Sequence, residues 1–354
     1  MNTRGKRIVA LAVGLAALAC VPGCKVGYLI SSGYYQAELL ASREPVSELR
    51  EQGVLSPAQI QRLDLIADVK AYGAEIGLSA TDNYETLAWK WERTIWNVTG
   101  CDPLSFTPKT WWFPVVGRFP YLGYFREQDA RELEHKLQAE GLDTYVRTAG
   151  AYSTLGWFKD PILPDMLAWS DYRLADTVLH ELAHATLWVP GSVQFNESYA
   201  NFVGEVSALR YLQTRRGAHD PELLATIQRQ ADRDRFRDLL HGLYGDLDAV
   251  YQDATLSDAE KLARKEDLLG PELLRRVEAA GLTNQEAYLK MVRETEWNNA
   301  RLVQFKTYNS NEALFAAILE EQDGDLLAFI ARIEEITADA DEPFTALQAA
   351  VDAL

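Results

Sequence analysis

Cysteine is scarce in this chain: three of its 354 residues are Cys, at positions 20, 24 and 101. Cys20 and Cys24 close an N-terminal apolar segment, so processing at Cys24 would leave Cys101 as the only free thiol. One thiol cannot form an intramolecular disulfide, and it cannot supply the thiolate cluster typical of a closed structural zinc site. The folded chain must therefore be held together by its core or by a metal.

Basic residues are also in short supply. The chain has 35 Lys and Arg against 52 Asp and Glu, a formal net charge of −17. This balance argues against binding to nucleic acid and against electrostatic adhesion to anionic lipid, because both require an excess of positive charge. The hydrophobic content of 47% is nevertheless enough for a sizeable core, so the composition does not fit a disordered protein.

The N-terminal apolar run, residues 8–19, is too short to cross a bilayer. It contains about 12 apolar residues, whereas a spanning helix needs roughly 20. Arg4, Lys6 and Arg7 precede the run, and small residues follow it. This order of segments predicts an export signal rather than a transmembrane helix.

The letters VPGC at residues 21–24 resemble the junction of a bacterial lipoprotein signal, where a small residue precedes the cysteine that receives the lipid. We therefore predict a signal peptide over residues 1–23, lipidation of Cys24 and one domain over residues 24–354. Cys20, after ALA, is the alternative lipidation site, and a plain cleaved signal is a further alternative. Lys25 is not the aspartate that commonly retains lipoproteins in the inner membrane, which favours an outer-membrane anchor facing the periplasm.

Histidine is nearly as scarce as cysteine, yet two of the five histidines stand four residues apart in HELAH at residues 180–184. On a helix, His180 and His184 project from one face and can bind the same ion. Glu181, beside the first histidine, can reach a water on that ion without binding the ion itself. The pattern predicts two metal ligands and a general base.

A third ligand candidate, Glu197, lies in the segment FNESYANF. Pro190 and Gly191 are expected to end the first helix, so that a second, antiparallel helix returns Glu197 over the histidines. A catalytic zinc normally has three protein ligands and one open position, and these three residues would supply that set. The alternative is that Glu197 is a solvated helix residue and the histidines are a surface pair.

Hydrophobic periodicity predicts a mostly helical chain on either side of this motif. Residues 26–78 have the pattern of a helical pair, with Pro57 at the start of the second helix. After Glu205 the pattern is almost entirely helical, and no repeat or linker divides the chain.

Strand character is confined to a short part of the chain. Aromatic and β-branched residues over residues 84–124, followed by DTYVRTA at residues 143–149, predict a small antiparallel sheet. Pro114 and Pro120 belong on edge strands because proline cannot donate to a ladder. The predicted fold class is α+β, mostly helical, with a zincin-like metal helix beside this sheet.

Several segments together resemble a known family. HELAH followed by FNESYANFVGE is similar to the gluzincin type of zinc peptidase, in which a downstream glutamate is the third ligand. Most of the chain resembles the bacterial putative aminopeptidase family of lipid-anchored proteins. The resemblance is carried by the segments TWWFPVVGRFPYLGYF, AYSTLGWFKDPIL, HELAHATL, FNESYANFVG and WNNARL. The resemblance implies a zinc aminopeptidase acting on peptides, with His180, His184 and Glu197 as ligands and Glu181 as base.

The sequence departs from the gluzincin pattern at one position. Many gluzincins have an aspartate four residues after the ligand glutamate, where it holds a ligand histidine, whereas Asn201 stands there in this chain. An Asn oxygen can accept the same imidazole N–H, with less charge donation. Asp176, one turn before His180, is the other candidate partner, and either residue can instead be an ordinary surface polar group.

In the expected reaction Glu181 takes a proton from zinc-activated water and delivers it to the leaving amine. A further donor must stabilise the oxyanion, and Tyr152, in the loop before the metal helix, is the first choice. Tyr199 and Arg301 are the alternatives, with core packing and a buried ion pair as their structural interpretations.

The sequence leaves substrate recognition open. Glu205 or Asp160 can bind a free α-ammonium, but the spacing selects neither. Trp111–Phe113 can act as an edge strand for an extended peptide or can belong to the core. Two other functions compete with the peptidase: a lipoprotein scaffold with a non-catalytic metal site, and a zinc hydrolase of a non-peptide amide.

Overall fold

The computed structural model describes residues 23–113, 117–149, 160–307, 312–338 and 340–354. Over these ranges the chain is mostly helical with small antiparallel sheets, which confirms the predicted α+β, mostly helical class. The helices are α1 (Gly23–Ala41), α2 (Val46–Glu51), α3 (Pro57–Glu75), α4 (Glu127–Ala139), α5 (Asp171–Thr186), α6 (Val193–Arg216), α7 (Pro221–Gln252), α8 (Asp258–Asp267), α9 (Leu273–Ala279), α10 (Gln285–Glu294), α11 (Asn299–Thr307), α12 (Glu312–Glu321), α13 (Leu326–Thr337) and α14 (Pro343–Asp352). The strands are β1 (Glu44–Pro45), β2 (Thr86–Leu87), β3 (Ile95–Cys101), β4 (Trp111–Phe113), β5 (Gly117–Phe119), β6 (Leu122–Tyr124) and β7 (Asp143–Ala149).

Several sequence predictions fall outside these ranges. Residues 1–22 of the predicted signal peptide, the proposed donor Tyr152 and the edge residue Pro114 are not among the described residues. Cys24 lies in the first turn of α1, and its lipidation stays a prediction, as does the division into one domain. Across the described residues, none of the helices combines the length and the apolar character needed to cross a membrane.

The N-terminal helices follow the sequence pattern closely. Helix α3 starts at Pro57, and its first turn is closed by a capping box in which Ser56 and Gln59 satisfy each other's backbone N–H groups. The predicted helical pair corresponds to α1 and α3. The short helix α2 between them was not predicted.

The main sheet has three strands, with β3 between β6 and β7 and both pairings antiparallel. Val98 of β3 stands opposite Leu122 on one side and Val146 on the other. Strands β4 and β5 form a separate hairpin. Trp111 and Phe113 point into the core that this sheet forms with α4, which favours the core interpretation of that segment over peptide binding.

The sheet and the metal helix have different main neighbours. The sheet packs mainly on α4 and α11, whereas α5 packs mainly on α3 and α6. Helix α5 buries an extensive apolar surface, made of Leu174, Val178, Leu179, Leu182 and Ala183. Other helices therefore cover most of that surface, and the main support of the metal helix comes from α3 and α6 rather than from the sheet.

Two glycines allow the helices around α5 to approach closely. A Cβ at Gly73 of α3 would lie 2.7 Å from Cδ1 of Leu182. A Cβ at Gly204 of α6 would lie 2.9 Å from the backbone oxygen of Asp176 and 3.2 Å from Cβ of His180. The distance between α5 and α6 is therefore set by the absence of a side chain at Gly204.

We predict that Gly204→Ala destabilises the fold by about 1–3 kcal/mol, because the new methyl group must push apart two packed helices. Gly245→Ala is the matched control: Gly245 lies inside α7, and its Cβ would meet no atom within 4 Å. That substitution should stabilise the protein by up to about 1 kcal/mol through helix propensity. Urea unfolding measures both free energies, and equal effects of the two substitutions would contradict the close-packing argument.

Cys101, at the end of β3, is a free thiol, as predicted, and it is fully buried. Its Sγ donates to the carbonyl oxygens of Thr107 at 3.4 Å and Ser105 at 3.5 Å. Burial, followed by the charge of Asp143, raises the pKa of Cys101 to about 12. The thiol therefore stays protonated at neutral pH, and it is the thiolate that reacts with alkylating agents.

We predict that residues 25–354 in their folded state resist alkylation by iodoacetamide at pH 8, and that the same chain is labelled once in denaturing urea. Mass spectrometry of the intact protein gives both results. Rapid labelling without denaturant would show that the Cys101 thiol is accessible.

Candidate metal centre

Helix α5 carries both histidines and is fixed at its beginning. Ser170 caps it by accepting a hydrogen bond from the backbone N–H of Arg173. Asp171, the first helical residue, forms ion pairs with Arg62 of α3 and Arg216 of α6. These pairs join three helices at the end of α5 opposite the turn that leads to α6.

The turn between α5 and α6 is fixed by Asn196. This fully buried side chain accepts from the backbone N–H of Val189 at 2.8 Å and donates to the Val189 carbonyl at 2.9 Å. Helix α5 ends at Thr186, before the predicted break at Pro190, and Gly191 adopts a φ of +84°. Sequence reasoning missed Asn196, although it directly precedes the predicted ligand.

The three predicted ligands lie together between α5 and α6. Nε2 of His180 is 3.8 Å from one carboxylate oxygen of Glu197, and Nε2 of His184 is 3.6 Å from the other. One possible ligand atom from each residue lies within 4.8 Å of the other two. The antiparallel return of α6 predicted from the turn residues is therefore present, and the histidines are not a surface pair.

Burial sets the charge state of this group. It lowers the pKa of His184 to about 4, and together with the charge of His184 it lowers the pKa of His180 to about 3. Burial also raises the pKa of Glu197. Both imidazoles are consequently neutral near pH 7, which is the form that binds a metal ion.

The donor set and its spacing fit a divalent metal ion. Bonds of about 2.1 Å at tetrahedral angles would place ligand atoms roughly 3.4 Å apart, close to the two separations that involve Glu197. Two imidazole nitrogens and one carboxylate are ligands that several first-row metals accept, zinc among them. His180, His184 and Glu197 can therefore hold a metal ion, although the geometry does not select which one.

Asn201 holds the first histidine. Its side chain accepts a hydrogen bond from His180. This bond raises the pKa of His180 and so opposes the larger effect of burial, which lowers it. Asp176, the other candidate, interacts with Glu205 and Arg233 instead; burial, then the Glu205 charge, raises its pKa to about 7. The neutral amide oxygen is thus the group that orients the imidazole, as the sequence allowed.

Tyr84 is a site residue that sequence reasoning missed. Its backbone N–H donates to the Asp160 carbonyl at 2.8 Å, and the charge of the buried predicted base Glu181 acts on its phenol. Burial, followed by the charges of Glu181 and Asp160, raises the pKa of Tyr84 well above its ordinary value. The phenol therefore keeps its proton. The backbone of Tyr84 has a φ of +64°, a conformation that is rare for tyrosine and that the sequence does not predict.

The alternative donors have other roles. Tyr199 is fully buried and stacks on Phe195, so its core interpretation is confirmed. Arg301 is not ion-paired to any described carboxylate; its guanidinium lies 4.2 Å from the centre of the Tyr145 ring.

The two candidates for binding an α-ammonium are separated by the fold. Asp160 is buried next to Tyr84 and thus on the Glu181 side of the site. Glu205 follows Glu197 by eight residues on α6, which places it about 12 Å further along the helix. That separation is too long for a carboxylate that must bind the amine next to a carbonyl at the ligands.

The helix pair, the three converging ligands and the adjacent buried glutamate define a candidate metallohydrolase site. A family described as putative aminopeptidases matches residues 27–346, so the chain belongs to that family. None of the curated proteins or solved structures with which the chain was compared matches it. The family description points to a peptidase and leaves the metal and the mechanism unspecified.

We predict that Asn201→Ala weakens metal binding about 10- to 100-fold, because His180 loses the partner that orients its ring. Ser207→Ala is the matched control on the same helix: its buried hydroxyl makes no hydrogen bond to any described group. Competition with a chromophoric chelator measures both affinities. Unchanged affinity in Asn201→Ala would show that the imidazole needs no such support.

Proposed function

We propose that the protein is a zinc-dependent aminopeptidase, in which His180, His184 and Glu197 hold the metal and Glu181 is the general base. The observation that carries the proposal is the convergence of two neutral imidazoles and a carboxylate directly beside a buried glutamate. Membership of the aminopeptidase family supports a peptide as substrate. The hydrogen bond from His180 to Asn201 also supports the proposal, because a ligand histidine needs a partner that orients its ring.

A zinc ion at these ligands would supply an acidified water and polarise the carbonyl of the scissile bond. Glu181 accepts the proton of the attacking water and delivers it to the nitrogen of the leaving amine. Tyr84 keeps its own proton beside Glu181, so its hydroxyl is available as a hydrogen-bond donor in the site. Asp160, on the same side, is the better placed carboxylate for a substrate α-ammonium.

We further propose that lipidation of Cys24 anchors the enzyme to a bacterial membrane on the periplasmic side. The N-terminal signal pattern and the VPGC junction support this location. The acidic surface of the chain supports an anchor made of acyl chains rather than one made of basic residues.

Residues 25–354 test the function without the lipid. We expect one bound zinc per chain and hydrolysis of peptides with a free N-terminus. Glu181→Gln should keep the zinc and lose at least about 100-fold in kcat, because the ligands stay while the base is removed. Atomic absorption and peptide turnover measure the two properties separately.

Matched variants distinguish the loss of a metal ligand from a general loss of folding. His184→Ala should lose both metal and turnover, whereas His219→Ala, an exposed histidine elsewhere, should keep both. Equal cleavage of N-blocked peptides would assign an endopeptidase. Zinc without peptide turnover would favour a scaffold or a non-peptide amide as substrate, and a chain without zinc would overturn the metal centre.

A further inference from the structure

A cavity of about 690 Å³ adjoins the metal centre. Ser198, Asn201, Phe202 and Glu205 of α6 form part of its lining, and Tyr145 and Arg147 of β7 form another part. Asn201 therefore both contacts the cavity and hydrogen-bonds the ligand His180. A volume of this size accommodates a short peptide segment. Because Asn201 links the cavity to a metal ligand, the cavity can receive part of a substrate.

Among the charged residues of this lining, Arg147 has no ion pair with any carboxylate that the structure describes. Its Nε is buried and makes no hydrogen bond, and none of the described carboxylates forms an ion pair with it. The segments outside the described ranges contain a single acidic residue, Asp339. A buried guanidinium nitrogen without a partner costs stability, and a ligand that pairs with it would offset that cost.

The other cations of the lining are compensated. Arg237 forms ion pairs with Asp234 at 3.1 Å and with Glu312 at 3.3 Å. Arg233 lies beside Glu205 and Asp176, whose charges favour its protonated form. The positive charge that remains for a ligand is therefore on the β7 side of the cavity.

A second cation reinforces that side. Arg301 of α11 stacks its guanidinium on Tyr145, which lines the cavity, and its buried Nε likewise has no partner among the described residues. In a chain with net charge −17, Arg147 in the lining and Arg301 stacked on Tyr145 produce a local positive potential, because neither forms an ion pair with a described carboxylate. Phe236 and Met291 add apolar surface for the carbon atoms of a ligand.

We propose that this cavity binds a carboxylate group of the substrate, with Arg147 as its counter-ion. The inference rests on the proposed peptidase function and narrows its substrates to peptides that carry a carboxylate at some distance from the cleaved bond. That carboxylate is either an acidic side chain or the C-terminus of a short peptide. A guanidinium suits both because it forms paired hydrogen bonds with the two oxygens of a carboxylate.

Three matched tripeptides distinguish the two sources: Ala-Gln-Ala amide, Ala-Glu-Ala amide and Ala-Gln-Ala with a free C-terminus. The zinc-loaded wild type should cleave at least one of the two carboxylate-bearing peptides with a kcat/KM roughly tenfold or more above that of Ala-Gln-Ala amide. A gain for the Glu peptide identifies a side-chain site. A gain for the free acid identifies a C-terminal site.

Substitution locates the effect. Arg147→Gln should abolish the preference, so that all three peptides have similar kcat/KM values, whereas Arg118→Gln, at an exposed arginine on β5, should keep the preference. Arg147→Lys should retain part of it and serves if the Gln variant fails to fold. Equal rates for all three peptides in the wild type, or a preference that survives in Arg147→Gln, would overturn the inference.

Calorimetric titration of Glu181→Gln with the same peptides separates this inference from the proposed function. If the wild type cleaves no peptide, the peptidase proposal fails, while about tenfold tighter binding of a carboxylate-bearing peptide still supports the anion site. If peptides are cleaved but bind equally well with and without the carboxylate, the peptidase proposal stands and the anion site is excluded.

Discussion

The close packing of α6 on α5 is the constraint on which the candidate site depends. Its ligands come from both helices, so the distance between the helices fixes the distance between Glu197 and the two histidines. Gly204 permits that distance because the backbone of Asp176 occupies the space where a side chain would stand. Asn196 then fixes the turn, so the second helix enters in the register that aims Glu197 at the imidazoles.

Burial gives the same site its electrostatic character. Taking His180 and His184 out of water favours their neutral forms, and taking Glu197 out of water disfavours its charge. A divalent cation would favour the charged form of Glu197 again, because its positive charge would compensate the buried carboxylate. The same cation would accept the lone pairs of the two imidazoles. Metal binding and folding are therefore expected to stabilise each other in this region.

Charge is distributed unevenly between the surface and the cavity. The chain as a whole is strongly acidic, and most of its described surface cations are paired with nearby carboxylates. Arg147 lines the cavity from β7 without an ion pair to a described carboxylate, and Arg301, likewise unpaired among the described carboxylates, stacks on Tyr145 of the same strand. Selectivity for a carboxylate would then come from the substrate cavity rather than from the ligands.

The sequence by itself determined the local features of this protein. The spacing of His180 and His184 places them on one helical face, Pro57 starts α3, and DTYVRTA forms β7 with the bounds that the pattern predicts. These features depend on residues close together in the chain, where helix and strand periodicity fixes geometry directly. The same reasoning predicted that Glu197 lies near the histidines, because a turn at Pro190 and Gly191 between two helices favours an antiparallel second helix.

Tertiary structure decided what depends on contacts between distant segments. Asn201 rather than Asp176 holds His180, because the packing of α6 on α5 aligns Asn201 with that ring and leaves Asp176 with Glu205 and Arg233. Tyr84 comes within electrostatic range of Glu181 although it lies almost a hundred residues away in the chain, and it has a positive φ and a backbone hydrogen bond to Asp160. Neither arrangement is encoded by periodicity, since each follows from how helices and loops fill a shared interior.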